Sequence, residues 1–182
     1  VSSLRLPLDS VFNSFTKILP EAEEKEAQFL SLANTRARLR MTSLYYFAAL
    51  HRYLVAGTGN KVEDFGVGFY TKYGDGGVDL SPIADLMKTE VFELAKELQI
   101  IDSIQNAAPT DGLWGDDRTD EDQLGATYPE LEWAMGAFQS HSSTTSFSER
   151  QKEVFEIFKK HHLQNQHKMN PIPVCKVPKE FL

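Results

Sequence analysis

The sequence predicts an α/β domain, and three observations carry that prediction. An apolar stripe of helical period runs through residues 34–48, a short apolar run follows at Tyr53-Leu-Val-Ala56, and the turn Gly57-Thr-Gly-Asn60 closes it. Helix, strand and glycine turn in that order are the units of helix-on-sheet architecture. The chain has 182 residues, and a chain of that size buries roughly 70% of its extended surface on folding, enough for one core.

In chain order, Val1-Ser-Ser-Leu-Arg-Leu-Pro-Leu8 reads as the end of a buried strand with no earlier element to pair with. Residues 11–33 are ambiguous: Phe12, Phe15 and Ile18 suggest a helical face, and Glu21 to Gln28 a charged, solvated stretch. From Asn34, an expected N-cap, the residues Ala37, Met41, Leu44, Tyr45 and Ala48 share one helical face. Lys72-Tyr-Gly-Asp-Gly-Gly77 is a loop, and Pro82 suits the first turn of a helix. Thr89 is an expected cap for a helix that faces inward with Val91, Leu94, Ala95 and Leu98. Residues 106–118, with Pro109, Gly112 and Gly115, form a polar loop. Thr119 with Asp122, and Ser148 with Gln151, have capping-box spacing, and Pro129 opens a short helix between them. The last of these helices carries Val154, Phe155, Phe158 and His162 inward, and Pro171, Pro173 and Pro178 make the tail extended.

Hydrophobic residues make up 41% and charged residues 25% of the chain, at a mean hydropathy of -0.35, which excludes a membrane-spanning or compositionally disordered protein. A formal charge of -7 argues against nucleic acid as a partner. Any bound phosphate then needs a local cationic pocket or a metal. Cys175 is the only cysteine, which excludes an internal disulfide and a Cys-rich zinc site and makes the cytoplasm the expected compartment.

Among residues that could carry chemistry, Arg36, Arg38 and Arg40 crowd the first turns of the expected helix. Helical steps of 100° place Arg38 beside the apolar stripe, hence half-buried, with Arg36 and Arg40 on the other flank. A solvated helix start is the favoured reading of the three, although cations at a helix N-terminus oppose its dipole unless an anion lies near. The turn Gly57–Asn60 admits a phosphate or only a bend, and Glu63 could ligate Mg²⁺ or simply face solvent. Lys72, Asp75, Asp79, Asp85 and Lys88 gather around a glycine-rich loop, an arrangement that favours a binding loop over a plain connection. His161, His162 and His167 match no metal spacing, so a packed His162 is expected. No Gly-x-Ser-x-Gly elbow occurs, and Cys175 sits between prolines with nothing to lower its pKa.

Five segments, Asn34-Thr-Arg-Ala-Arg-Leu-Arg-Met41, Gly57-Thr-Gly-Asn-Lys-Val-Glu63, Thr71-Lys-Tyr-Gly-Asp-Gly-Gly77, Asp79-Leu-Ser-Pro-Ile-Ala-Asp-Leu-Met-Lys-Thr89 and Thr119-Asp-Glu-Asp-Gln-Leu-Gly-Ala-Thr-Tyr128, resemble in order the motifs of ammonia-dependent NAD synthetases. The resemblance is dense over residues 34–135 and returns at His167-Lys168. It implies a doubly wound parallel sheet flanked by helices, of the adenine-nucleotide α-hydrolase type, in a homodimer with sites near the interface. It implies adenylation of the nicotinate carboxylate of deamido-NAD by ATP, then attack by ammonia to give NAD, AMP and pyrophosphate. Carried over, Thr58, Lys88 and Thr110 contact ATP, with Lys88 also catalytic, and Glu63 holds Mg²⁺. Arg38, Lys72, Asp79, His167 and Lys168 hold deamido-NAD. The alternatives are the synthetase part of a glutamine-dependent enzyme and a non-catalytic nucleotide-binding remnant. The family's Ser-Gly-Gly-x-Asp-Ser pyrophosphate loop and the strand before it do not occur in residues 1–182, and Met169 stands where the family commonly has arginine. The expectation is a single ATP-pyrophosphatase domain whose first strand and pyrophosphate loop lie in a longer polypeptide.

Overall fold

The computed structural model describes residues 3–114, 116 and 118–181. Val1 and Ser2 of the expected first strand, and Gly115 and Asp117 of the expected polar loop, lie outside them. Residues 3–8 run without regular structure and form no β-bridge with described residues, leaving Leu4 and Leu6 exposed. A short helix α1 (Asp9–Thr16) follows, then α2 (Lys25–His51).

Helix α2 starts at Lys25, not at Asn34. Lys25 to Leu32 contain no glycine or proline and several strong helix formers, so nothing interrupts the helix before Asn34. Asn34 is therefore no cap. Its side-chain oxygen accepts the Thr71 hydroxyl at 2.6 Å. Ala33, Ala37 and Ala48 are the buried residues of α2. Small side chains there let the 71–77 loop lie directly on the helix: a Cβ at Gly74 would come 2.9 Å from Ala37 Cβ. Met41 and Tyr45 are half-buried, whereas Leu44, expected on the same stripe, is exposed because no described element packs over its edge. The helix ends at Arg52, in the left-handed region at φ 56°.

Residues 53–55 have no regular structure in place of the expected strand, and Ala56 alone makes a parallel bridge, to Leu80, with Gly57 N–H donating to Leu80 O at 2.7 Å and Asp79 N–H to Val55 O at 2.9 Å. Of the expected doubly wound sheet this single parallel bridge is what forms among the described residues, with no named strand. A parallel sheet is buried on both faces by flanking elements. Here Tyr53, Leu54 and Leu80 are exposed, so among the described residues these two segments bridge only each other.

Between them lies a π-helical turn, Val62–Val67, that sequence reading left unassigned. The helix expected at Pro82 is only a turn, and α3 (Lys88–Glu97) begins after it. Thr89 is inside α3 and not its cap; its N–H and hydroxyl both donate to the Glu132 carboxylate, at 2.9 and 2.7 Å. After a four-residue α4 (Asp102–Gln105) come α5 (Asp120–Leu124), α6 (Tyr128–Gln139) and α7 (Glu149–Met169). Both expected capping boxes form: Asp122 N–H donates to Thr119 Oγ1 at 3.1 Å, and Gln151 N–H to Ser148 Oγ at 3.2 Å. The core lies where the π-turn, α6 and α7 meet, with Val62, Val67, Leu131, Val154 and Phe158 almost fully buried. His162 packs as expected, stacking on Phe158 with Nδ1 2.7 Å from Gly66 O. No described helix is long and apolar enough to cross a membrane.

Candidate active site

The π-turn sets the position of Glu63. The Asn60 side-chain oxygen, 1% exposed with its residue, accepts the N–H groups of Val62 and Glu63 at 3.1 and 3.0 Å and so starts the turn. Lys88, the first residue of α3, is held in place by the Thr89–Glu132 contacts onto α6. Its Nζ lies 2.9 Å from Glu63 Oε1, and the two side chains are 20% and 13% exposed. The Lys88 ammonium also stands 4.9 Å over the Tyr128 ring.

Two residues that sequence reading did not single out complete this cluster. The Tyr128 hydroxyl donates to Glu63 Oε1 and lies 3.3 Å from Asp120 Oδ2. Asp120 is buried, and its Oδ1 has no partner. Burial, followed by the charge of Glu63, pushes the Tyr128 phenol well above its ordinary value, so it stays a donor. The same two causes, in the same order, raise Asp120. The phenol has one proton to give, and Glu63 takes it. Both residues sit in the quoted motif that ends at Tyr128, but only the folded chain brings them to Glu63.

Asp64, next along the π-turn, is pushed up to about 6 by burial first and then by Glu63 and Asp75. Its carboxylate fills the space beside the Gly59 Cα, where a Cβ would collide with it. The folded-state pKa lies above the ordinary 3.8, so the folded chain keeps a proton that the unfolded chain has released between about pH 4 and 6. Stability contributed by that proton is lost as pH rises through this window. Asp64→Asn should therefore melt higher than the parent at pH 8 and together with it at pH 3.5. Equal melting temperatures at both pH values would remove the buried charge from the account.

Four of the five expected dinucleotide-binding residues, Arg38, Lys72, His167 and Lys168, lie around the C-terminal end of α7. His162, Asn165 and Lys168 face the end of the π-turn: His162 Nδ1 lies 2.7 Å from Gly66 O, Asn165 Nδ2 donates to Val67 O at 2.8 Å, and Lys168 Nζ to Gly68 O at 2.8 Å and Tyr70 O at 2.7 Å. They satisfy carbonyls that a helix end leaves open. Two donors of Lys168 are thus committed to the backbone. Lys72 Nζ donates to His167 O, and Arg38 Nε to Lys72 O at 3.3 Å, so Arg38, Lys72 and His167 form one chain of contacts. Asp79 is apart from them. It accepts from the Tyr45 hydroxyl at 3.1 Å and Val55 N–H at 2.8 Å, joining α2 to the 53–56 segment.

The arginine order is the reverse of that expected from the stripe. Arg38 is exposed, while Arg36 is half-buried, with its guanidinium 4.2 Å from the Phe12 ring centroid and Nη1 donating to Leu113 O at 3.0 Å. Packing of α1 and the 111–113 segment against α2, invisible to helical steps, decides this. Thr58 is exposed and lines a cavity of about 320 Å³ under α2, whereas Lys168 lines a smaller one of about 140 Å³. Asp75, Asp111 and Leu113 line both. Thr110 is exposed and donates to Arg118 O at 3.2 Å; no described contact brings it to Thr58 or Lys88.

With this geometry in hand, residues 2–172 match the family model described as NAD synthase. The chain is 43% identical over 143 residues to the NH(3)-dependent NAD(+) synthetase of Carboxydothermus hydrogenoformans, covering 79% of this chain and 58% of that protein. To the enzyme of the same description from Mycoplasma genitalium it is 38% identical over 156 residues, or 86% and 59% of the two chains. The chain thus spans little more than half the length of these curated relatives. Its fold matches that of NMN synthetase from Francisella tularensis with a TM-score of 0.73 at 29% identity, over 94% of this chain and 64% of that one. An ordered series of motifs, a matching family model and a shared fold agree: the chain belongs to the NAD synthase family.

Proposed function

We propose that this chain forms most of the catalytic domain of an ammonia-dependent NAD synthetase, a ligase that makes the amide of NAD from deamido-NAD. In that reaction a nicotinate carboxylate oxygen attacks the α-phosphorus of ATP, and the bond to pyrophosphate breaks as the new P–O bond forms. Ammonia then adds to the acyl carbon, sheds a proton and expels AMP.

The observation that carries this reading is the Glu63–Lys88 pair, an anion and a cation from two family motifs held 2.9 Å apart at a partly accessible position. Lys88 supplies positive charge where the departing pyrophosphate gains negative charge. Glu63 suits Mg²⁺, a hard cation held by a carboxylate plus substrate phosphates rather than by an all-protein cage. When bound, Mg²⁺ neutralises phosphate charge. Thr58 and Thr110 contact ATP in this reading, while Arg38, Lys72, Asp79, His167 and Lys168 hold deamido-NAD. The pyrophosphate cradle and the strands that would extend the Ala56–Leu80 bridge into a doubly wound sheet are assigned to a longer polypeptide.

A homodimer is the expected assembly, and the exposed Tyr46 and Leu50 on α2 support it. The cytoplasm is the expected compartment. The Francisella neighbour, an NMN synthetase, favours testing a mononucleotide acid as a second substrate.

The full protein should form NAD from deamido-NAD, ATP and ammonium in the presence of Mg²⁺. Parallel arms replace ammonium with glutamine, and deamido-NAD with nicotinate mononucleotide. Glu63→Gln keeps the shape and removes the charge, so it should lower the rate at least about 10-fold and raise the Mg²⁺ requirement. A product only from the mononucleotide would move the protein to the second reading, and an unchanged Mg²⁺ titration would take Glu63 out of the site.

A further inference from the structure

Two donors converge on a single oxygen of Glu63. Lys88 Nζ lies 2.9 Å from Oε1, and the Tyr128 hydroxyl donates to the same atom. No described residue donates to Oε2, which is also not among the buried unpartnered atoms. One oxygen is therefore anchored while the other is open to a ligand.

The two anchors differ in how firmly they are placed. Lys88 is a flexible side chain at the start of α3, drawn to any triphosphate that arrives. Tyr128 is 3% exposed and rigid, its ring part of the core formed by the π-turn, α6 and α7. Asp120, itself 8% exposed, lies 3.3 Å behind the phenol oxygen. Once Lys88 turns to phosphate, Tyr128 is the only described donor left on Oε1.

We propose that Tyr128 is a positioning residue that holds the Glu63 carboxylate with Oε2 presented to a divalent cation while Lys88 serves the triphosphate. This rests on the reading of Glu63 as the metal-holding residue. Hydrogen-bonded partners of a metal-binding carboxylate fix its orientation, and losing one costs roughly 10- to 100-fold in metal affinity or activity.

Tyr128→Phe tests this, because it keeps the ring and its packing and removes only the hydroxyl. Mn²⁺ is titrated into the full protein with ATP and no dinucleotide, and free Mn²⁺ is followed by electron paramagnetic resonance. The Mn²⁺ dissociation constant should rise about 10-fold or more. The Mg²⁺ concentration for half-maximal rate should rise with it, while kcat at saturating Mg²⁺ and KM for deamido-NAD stay within about threefold of the parent, well below that loss of metal affinity. A purely structural role would instead lower kcat at every Mg²⁺ concentration with Mn²⁺ binding unchanged, and that result overturns the proposal. Glu63→Gln runs beside it. If Glu63→Gln weakens Mn²⁺ binding and Tyr128→Phe does not, the positioning role alone is lost. If neither does, the metal reading of Glu63 is lost as well.

Discussion

Under the proposed function, the full protein should release a burst of pyrophosphate with ATP and deamido-NAD before ammonium is added, and Lys88→Ala should slow that burst severely. Loss of one preorganised charge at a developing anion costs on the order of 10² to 10³ in rate. The variant also leaves Glu63, 13% exposed, with Tyr128 as its only described donor, so an uncompensated carboxylate faces the incoming phosphates. Both effects act on the adenylation step. The proposed deamido-NAD residues Arg38, Lys72 and His167 form a separate chain of contacts, so under the proposed function the dissociation constant for deamido-NAD should stay within a few-fold of the parent. A burst of normal size and rate in the variant would take Lys88 out of the chemistry.

Phe158→Ala should be the most damaging single change to stability. The ring is 1% exposed and lies 5.7 Å from Phe138 and 5.7 Å from His162, centroid to centroid. A Cβ at Gly66 would come within 3.3 Å of the ring, which shows how closely the π-turn leans on it. Truncating a buried Phe costs about 3–5 kcal/mol, through lost apolar burial plus the cavity left behind. For a chain of this size that corresponds to a fall in Tm on the order of 10 °C. The damage should reach function, because the same ring supports the turn that carries Glu63. Phe181→Ala, at a residue 77% exposed, is the control and should melt with the parent. Equal loss at both positions would place the core elsewhere.

Short-range patterns were the legible part of this chain. The Thr119/Asp122 and Ser148/Gln151 boxes form as spaced, and Val154, Phe155 and Phe158 point inward as their period requires. Such features close within one or two turns, so the local sequence contains every partner they need. The candidate site was half legible: motif order named Glu63 and Lys88 without revealing that they touch, and it passed over Tyr128 and Asp120. Those contacts span 25 residues for Lys88–Glu63 and 65 for Tyr128–Glu63.

By itself, then, the sequence determined the family and the helices whose caps and apolar periods are local. Tertiary structure decided the rest. It carried α2 back to Lys25 and gave Asn34 to Thr71. It half-buried Arg36 instead of Arg38, because the Phe12 ring and Leu113 O lie on that flank. It paired Ala56 with Leu80, a parallel bridge between segments 24 residues apart that no local pattern names. The physical reason is the same in each case: a side chain's burial and partner are set by whichever distant segment packs against it, and helical or strand periodicity reports only that a face exists, not what covers it.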